Sequence, residues 1–235
     1  QSAWLADYAL FEALARDRRA PWWSWPSPLR DRDPVALAAS RQHLAYGCGR
    51  VSFGQFLFFR QWSALRQAAA ERGIALFGDL PIYVAEDSVE VWTQRDLFLL
   101  DESGRPQVVA GVPPDYFSAE GQRWGNPLYR WPRHVANGFG WWRGRLRAQL
   151  ALFDLVRIDH FRGLEACWEI PASSPHARDG AWRKVPGAAL LEALKHEAGG
   201  LPVVAEDLGI ITPEVDQLRE SFDLPGMRIL QFAFS

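Results

Sequence analysis

The chain has 235 residues, 48% of them apolar, and a formal net charge of −2. That is enough apolar material for a substantial core, as one large domain or most of one, and the near-neutral charge argues against a nucleic-acid partner, because phosphate backbones are held by clustered Lys and Arg. No apolar run approaches the ~18 residues of a membrane span, the first residues lack the basic-then-apolar order of a signal peptide, and Cys48 and Cys167 are far apart without CxxC spacing, which fits reduced thiols in a cytosol better than a disulfide scaffold or a zinc site.

The first third reads as helical. Over residues 2–18, Trp4, Tyr8, Phe11 and Ala15 recur at spacings of three and four, which sets them on one helical face. Residues 21–34, PWWSWPSPLRDRDP, read as a rigid connector rich in Trp and Pro. Asp33 then serves as an N-cap with Pro34 at the first helical position, opening a helix towards Tyr46. A further helix is expected over residues 53–72, with Gly73 placed to end it.

From Gly73 onward strands alternate with helices. Residues 74–77 read as a buried strand leading to Asp79, residues 155–158 as one leading to Asp159, and residues 202–205 as one leading to Glu206. A helix over 188–198 ends at Gly199 and Gly200, a helix over 213–221 follows the N-cap Thr212, and a strand over 227–232 closes the series. Such alternation implies a parallel sheet, and polar residues gathered at the strands' C-terminal ends imply a (β/α)8 barrel or a doubly wound sheet; spacing alone does not separate these two. The stretch between Tyr83 and Trp142 reads as a long insertion, of the kind that usually carries function.

The chemistry sits at the strand ends. Two carboxylates facing one cleft, Asp159 in VRIDHFRG (156–163) and Glu206 in VVAEDLG (203–209), are the minimal equipment for retaining glycoside chemistry. Strand alternation sets Arg157 and Asp159 on one face, and an arginine beside a carboxylate favours its ionised form. The competing reading is an Arg–Asp ion pair that only holds a sheet together. Asp207 rivals Glu206, yet strand neighbours face opposite ways, so one of the two should enter the cleft. Asp79 reads either as a polar strand end or as a turn residue before Pro81. His160 should point away from Asp159 on a regular strand, in a packed, hydrogen-bonded role. The five histidines form no HxxxH or HxH cluster with acidic residues, so no metal is expected. GxxxxGK[ST] and GxGxxG loops are absent as well, which removes nucleotide chemistry and leaves no cofactor implied.

GDLPIYVAEDSVEVW (78–92), GVPPDYFSAEGQRWGNPLYRW (111–131), VRIDHFRG, EIPAS (169–173), AEDLGIITPEV (205–215) and LPGMRILQFAF (224–234) occur in one order. Together they closely resemble the amylomaltases, the 4-alpha-glucanotransferases of glycoside hydrolase family 77, over nearly the whole chain. The resemblance implies a (β/α)8 barrel with helical insertions, of which this chain would hold about the third to sixth strands. Residues 1–72 would then be a helical region packing on the barrel, and residues 73–235 part of the catalytic barrel with an insertion at 84–142. It implies Asp159 as nucleophile and Glu206 as general acid/base, with Arg157, Asp79 and His160 at the substrate. Tyr116 and Phe117 match a loop over the donor site, and Asp115, Trp124 and Asn126 look like sugar contacts. Sugar rings stack their C–H faces on aromatic rings while carboxylates and amides bind the hydroxyl rim. Most other tryptophans, among them Trp62, Trp168 and Trp182, are expected in packing.

The implied partners are alpha-1,4-glucans and maltooligosaccharides, in a bacterial cytoplasm. An alpha-amylase-type hydrolase would share both carboxylates, and a non-catalytic glucan-binding fragment is the other alternative. The family pattern also has a third aspartate in a THDN-like motif that does not occur here. The expectation is therefore a fragment of a longer protein, inactive or nearly so alone, with an unclosed sheet that exposes edges and apolar surface.

Overall fold

The structure, a computed structural model, describes residues 3–115 and 118–231. Helix α1, Ala3–Arg18, leads through a 3-10 turn at Trp22–Ser24 and the short α2, Ser27–Arg30, to α3, Pro34–His43. Asp33 caps α3 as its sequence predicts, its carboxylate accepting from the Ala36 N–H at 2.8 Å. The buried face of α1 is centred on Leu10, Phe11 and Leu14, whereas Trp4 stays 47% exposed. The Trp4–Ala15 stripe is thus turned from the true one. Phe11 meets the rings of Trp25 and Trp92, and these two tryptophans, on segments distant in sequence, decide which face goes inward.

Helix α4 runs from Ala45 to Ala70, starting eight residues before the expected position. Gly47 and Gly49 lower helix propensity and look like a break, yet the helix runs through both, Gly47 lying against Ala13 of α1. Gly73, with φ +67°, ends this region as expected. Tyr46, Phe53 and Phe56 of α4 remain largely exposed.

Strand β1 is Phe77–Pro81, so Asp79 lies within it and not beyond it. Helix α5 (Val89–Thr93), strands β2 (Val108–Val112) and β3 (Gln122–Pro127), and helices α6 (Trp131–Ala136) and α7 (Gly140–Leu150) precede β4, Leu155–Asp159. Strands β5 (Ala166–Pro171) and β6 (Ala181–Lys184), helix α8 (Gly187–Ala198), β7 (Val203–Ala205) and α9 (Pro213–Ser221) follow. Residues 227–231 form no strand, contrary to expectation, and residue 232 lies outside the described residues. Met227 instead donates its N–H to the Asp207 carboxylate at 2.7 Å, a contact that no local apolar pattern reports.

Two sheets result. β1, β4 and β7 form a parallel sheet with β4 in the centre, pairing Asp79 with Arg157, Pro81 with Asp159 and Ile158 with Ala205. One face, carrying Leu80, Val156, Ile158, Val203 and Ala205, is buried in the main core; the other carries Asp79, Arg157 and Asp159. The second sheet is antiparallel, in the order β3-β2-β5-β6. It joins strands from before β4 to strands after it, so the polar segment between Tyr83 and Trp142 does not fold on itself alone.

A cation ties the sheets together. Arg162, in the 3-10 turn Phe161–Leu164 after β4, is 5% exposed, and its guanidinium lies 3.6 Å over the Trp182 ring of β6. Its Nε and Nη1 have no hydrogen-bond partner, so the ring face, together with the charges of Glu165 and Glu214, compensates the buried cation. Replacing Trp182 by Leu should destabilise the protein by about 2 kcal/mol, the size of a desolvated cation–π contact. Urea unfolding would show it as a lower midpoint at unchanged slope; an unmoved midpoint would mean that the stack contributes nothing.

Candidate active site

The polar face of the parallel sheet gathers the carboxylates. Arg157 holds Asp79 through two parallel bonds, Nε to Oδ1 at 2.8 Å and Nη2 to Oδ2 at 3.0 Å. The same Nη2 reaches Asp159 Oδ1 at 3.1 Å. Arg157 therefore bridges two strands, and its principal partner is Asp79, not the Asp159 that its sequence neighbourhood suggests. Its charge is reinforced by the Asp79 hydrogen bonds first and then by Asp159, Asp79 and Glu206.

Glu206 follows β7 directly. Its backbone extends the ladder, the N–H donating to Ile158 O at 3.0 Å and the carbonyl accepting from the Phe161 N–H at 3.0 Å. Its carboxylate accepts from the His160 N–H at 2.8 Å and the Leu208 N–H at 3.2 Å. Burial raises its pKa above the ordinary glutamate value, and the negative charge of Asp159 adds to the rise; the His160 and Leu208 N–H groups and Arg157 oppose it. Asp207 faces the other way. Only 7% exposed, it pairs with Arg219 at 3.3 Å and Arg228 at 3.6 Å. Neighbouring carboxylates are thus separated by strand alternation as expected, with Glu206 alone beside Asp159.

Above this face stands an aromatic edge from the second sheet. Trp124 of β3 meets the His160 ring edge-on, centroids 4.8 Å apart, and lies 6.3 Å from Tyr83. Its indole N–H donates to Gln122 Oε1 at 3.0 Å. His160 takes a left-handed backbone, φ +54°, and burial, aided by the Arg162 charge, pushes its pKa down to about 4. The imidazole is packed as expected, but its Nε2 is buried without a hydrogen-bond partner. Asn126 donates from Nδ2 to Val84 O at 2.9 Å and so anchors the segment after β1. Asp115 accepts the Ser118 N–H at 2.8 Å within its own loop; Tyr116 and Phe117 lie outside the described residues.

Tyr83 and Gly163 were not singled out from the sequence. Tyr83 is 7% exposed, between Trp124 and Tyr129. A Cβ on Gly163 would stand 2.7 Å from Ile82 Cδ1, 3.0 Å from His160 Cδ2 and 3.2 Å from the Tyr83 hydroxyl, so a side chain there would require the end of Ile82 to move. The clue was the position of Tyr83 just past a strand end in GDLPIYVA. Trp62, Trp168 and Trp182 do pack, Trp62 on Phe153 and Trp168 on Trp182. Cys48 and Cys167 are free thiols. Among the described residues no group of three or more His, Cys, Asp or Glu is placed to hold a metal ion, and no helix is long and apolar enough to cross a membrane.

Comparison with solved structures gives the class, a mixed α/β fold shared with amylomaltases. The amylomaltase from Streptococcus agalactiae, solved in complex with acarbose, superposes with a TM-score of 0.95 at 39% identity, covering 98% of this chain and 47% of that one. The amylomaltase from Corynebacterium glutamicum, at 22% identity and a TM-score of 0.71 over 98% of this chain and 30% of its own, shares the fold. The chain belongs to glycoside hydrolase family 77, described as 4-alpha-glucanotransferase, whose profile matches residues 1–235. Relatives named 4-alpha-glucanotransferase come from Thermus thermophilus, 57% identical over 98% of this chain and 46% of that protein, and from Synechocystis, 50% identical over 100% and 47%. The chain spans about half the length of the relatives it matches.

Since Asp159 raises the pKa of Glu206 through its charge, Asp159→Asn should lower the Glu206 titration midpoint. Carboxyl carbon shifts in glutamate-labelled protein, with Glu206→Gln to assign the signal, measure this directly; an unchanged or higher midpoint would show that the two groups do not communicate.

Proposed function

We propose that this chain carries the nucleophile and the general acid/base of a 4-alpha-glucanotransferase acting on alpha-1,4-glucans. The observation that supports it best is the unlike treatment of two neighbouring carboxylates. Asp159 has a guanidinium at 3.1 Å, while Glu206 is half-buried with its pKa raised. A retaining pair needs an ionised nucleophile and a protonated acid at the same pH, and the raised pKa of Glu206 suits that group to carry the acid's proton.

In the reaction, an Asp159 oxygen attacks the anomeric carbon as the glycosidic bond breaks, and Glu206 gives its proton to the departing oxygen. The product is a glucosyl ester on Asp159, with Glu206 ionised. The 4-hydroxyl of a second glucan then attacks the same carbon, loses its proton to Glu206 and expels Asp159, so configuration is retained. Trp124 offers a stacking face, and Asp79 and Asn126 polar groups for the hydroxyl rim. His160 stands beneath this surface. The remaining part of the family's length would close a (β/α)8 barrel over the exposed edges of β1 and β7 and supply a third carboxylate. In this arrangement residues 1–72 are the helical flank and residues 73–235 the partial barrel. A bacterial cytoplasm fits its maltooligosaccharide substrates.

In the full-length protein carrying this chain, Asp159→Asn should reduce maltotriose disproportionation to background without loss of fold. Glu206→Gln should cost about 10²–10⁴ in rate on natural glucan and much less in the first step with alpha-glucosyl fluoride, whose leaving group needs little acid. Equal losses with both donors would remove Glu206 from the role of acid. Product analysis also decides between transfer and hydrolysis, because an amylase-type enzyme releases reducing ends where a transferase redistributes chain lengths.

For Trp124→Ala the expected result is a KM for maltotriose about tenfold higher, the loss of roughly one aromatic contact, with a larger hydrolytic fraction among the products. An unaltered ratio of transfer to hydrolysis would mean that Trp124 serves packing only.

A further inference from the structure

His160 has an unusual backbone for a residue with a side chain. Its φ of +54° lies in the left-handed region, where L-residues are uncommon and where His, Asn and Asp are enriched several-fold over others. The turn it makes is tightly coupled to one residue. Strand β4 ends at Asp159, the chain reverses at His160 into the 3-10 turn Phe161–Leu164, and two successive N–H groups then meet residue 206. That of His160 reaches Glu206 Oε2 at 2.8 Å, and that of Phe161 reaches the Glu206 carbonyl at 3.0 Å.

The imidazole supplies the seat. It lies edge-on to Trp124 at 4.8 Å, near Tyr83 at 6.5 Å, and over the space that Gly163 leaves vacant. Its Nε2 makes no hydrogen bond, so packing, and no polar bond at that nitrogen, holds the ring. We propose that His160 is a positioning residue for Glu206: its left-handed turn delivers the N–H that orients the Glu206 carboxyl beside Asp159. Glu206 as general acid/base is the reading on which the functional half of this inference rests.

The charged groups facing Glu206 are Asp159 and Arg157 of β4, the latter engaged with Asp79 of β1. On the far side Asp207 is occupied by Arg219 and Arg228. Arg162 is the charge that faces His160. The His160 N–H stabilises the ionised carboxylate, so its loss raises the Glu206 midpoint. A hydrogen bond to a charged group corresponds to about one pH unit or more of such a shift.

The test compares His160→Gly with His160→Thr in the full-length protein. Both remove the imidazole; glycine adopts the left-handed turn freely, whereas a β-branched residue resists it. Two quantities are read: the Glu206 titration midpoint from carboxyl carbon shifts, and the high-pH limb of kcat/KM for maltotriose. The Thr variant should raise the midpoint by about one unit and carry the high-pH limb upward with it, while the Gly variant keeps the parent midpoint even if KM rises. If the Thr variant does not fold, as judged by circular dichroism, His160→Ala provides the same contrast at smaller strain. Equal midpoints in the two variants would overturn the proposal, as would a Gly variant displaced as far as the Thr one. Failure of the functional reading looks different: the parent would show no disproportionation while the midpoints still diverged.

Discussion

Arg157 can hold Asp79 with two N–H groups and reach Asp159 with one of them only because parallel pairing sets Asp79 directly across from Arg157. Register is therefore the constraint behind the site. A one-residue slip of β1 against β4 would carry Asp79 to the face now occupied by Leu80, and burial of Leu80, Val156 and Ile158 opposes that slip. The apolar face fixes the register, and the register fixes the carboxylates. An arginine at this position also spares the site from a cluster of uncompensated negative charge, since Asp79, Asp159 and Glu206 gather on the same side of the sheet from three adjacent strands.

The second sheet adds what the first cannot supply. Polar strand ends alone give no flat aromatic surface, and the strands of the parallel sheet carry no tryptophan. Trp124 comes from β3, whose position depends on β2 and, through β2, on β5 from beyond β4. Arg162 closes the circuit. It sits three residues after Asp159 and stacks on Trp182 of β6, so the turn that leaves the nucleophile candidate is also a brace for the sheet bearing the aromatic edge. Strain or loosening in either sheet is felt at the contact between Trp124 and His160.

Much of this was legible in the sequence where the signal is local. Asp33-Pro34 marks a helix start by its own chemistry, α9 begins and ends where the Thr212 and proline pattern sets it, and VRID alternates apolar with polar residues over the last four residues of β4. Asp159 and Glu206 stand out because a carboxylate ends each short apolar run. What escaped was decided by distant partners. The inward face of α1 is chosen by Trp25 and Trp92, the antiparallel sheet by pairings across β4, and the ordering of residues after Leu224 by Asp207. Arg157 was read against its neighbour in sequence, yet it binds a neighbour in space. Tyr83 and Gly163 were hidden for the same reason, since a tyrosine after a strand and a glycine after an arginine carry no signal until the Ile82, Tyr83 and His160 side chains are seen to converge.

The separation of Glu206 from Asp207 illustrates how little sequence distance is needed to make two carboxylates chemically different. One residue of strand alternation turns Asp207 inward, where it is 7% exposed, pairs with two arginines and accepts the Met227 N–H. Glu206 receives no such partner. It has two backbone N–H groups, a neighbouring negative charge and partial burial, and the balance raises its pKa above the ordinary glutamate value. A full ion pair at Glu206 would abolish that balance by locking the group ionised, whereas complete burial without N–H donors would lock it protonated. Backbone donors are a suitable intermediate, because they stabilise the charged form without introducing a mobile counter-charge, and their strength is set by backbone geometry. That geometry is the left-handed turn at His160, which ties the Glu206 carboxylate to the conformation of the residue next to Asp159.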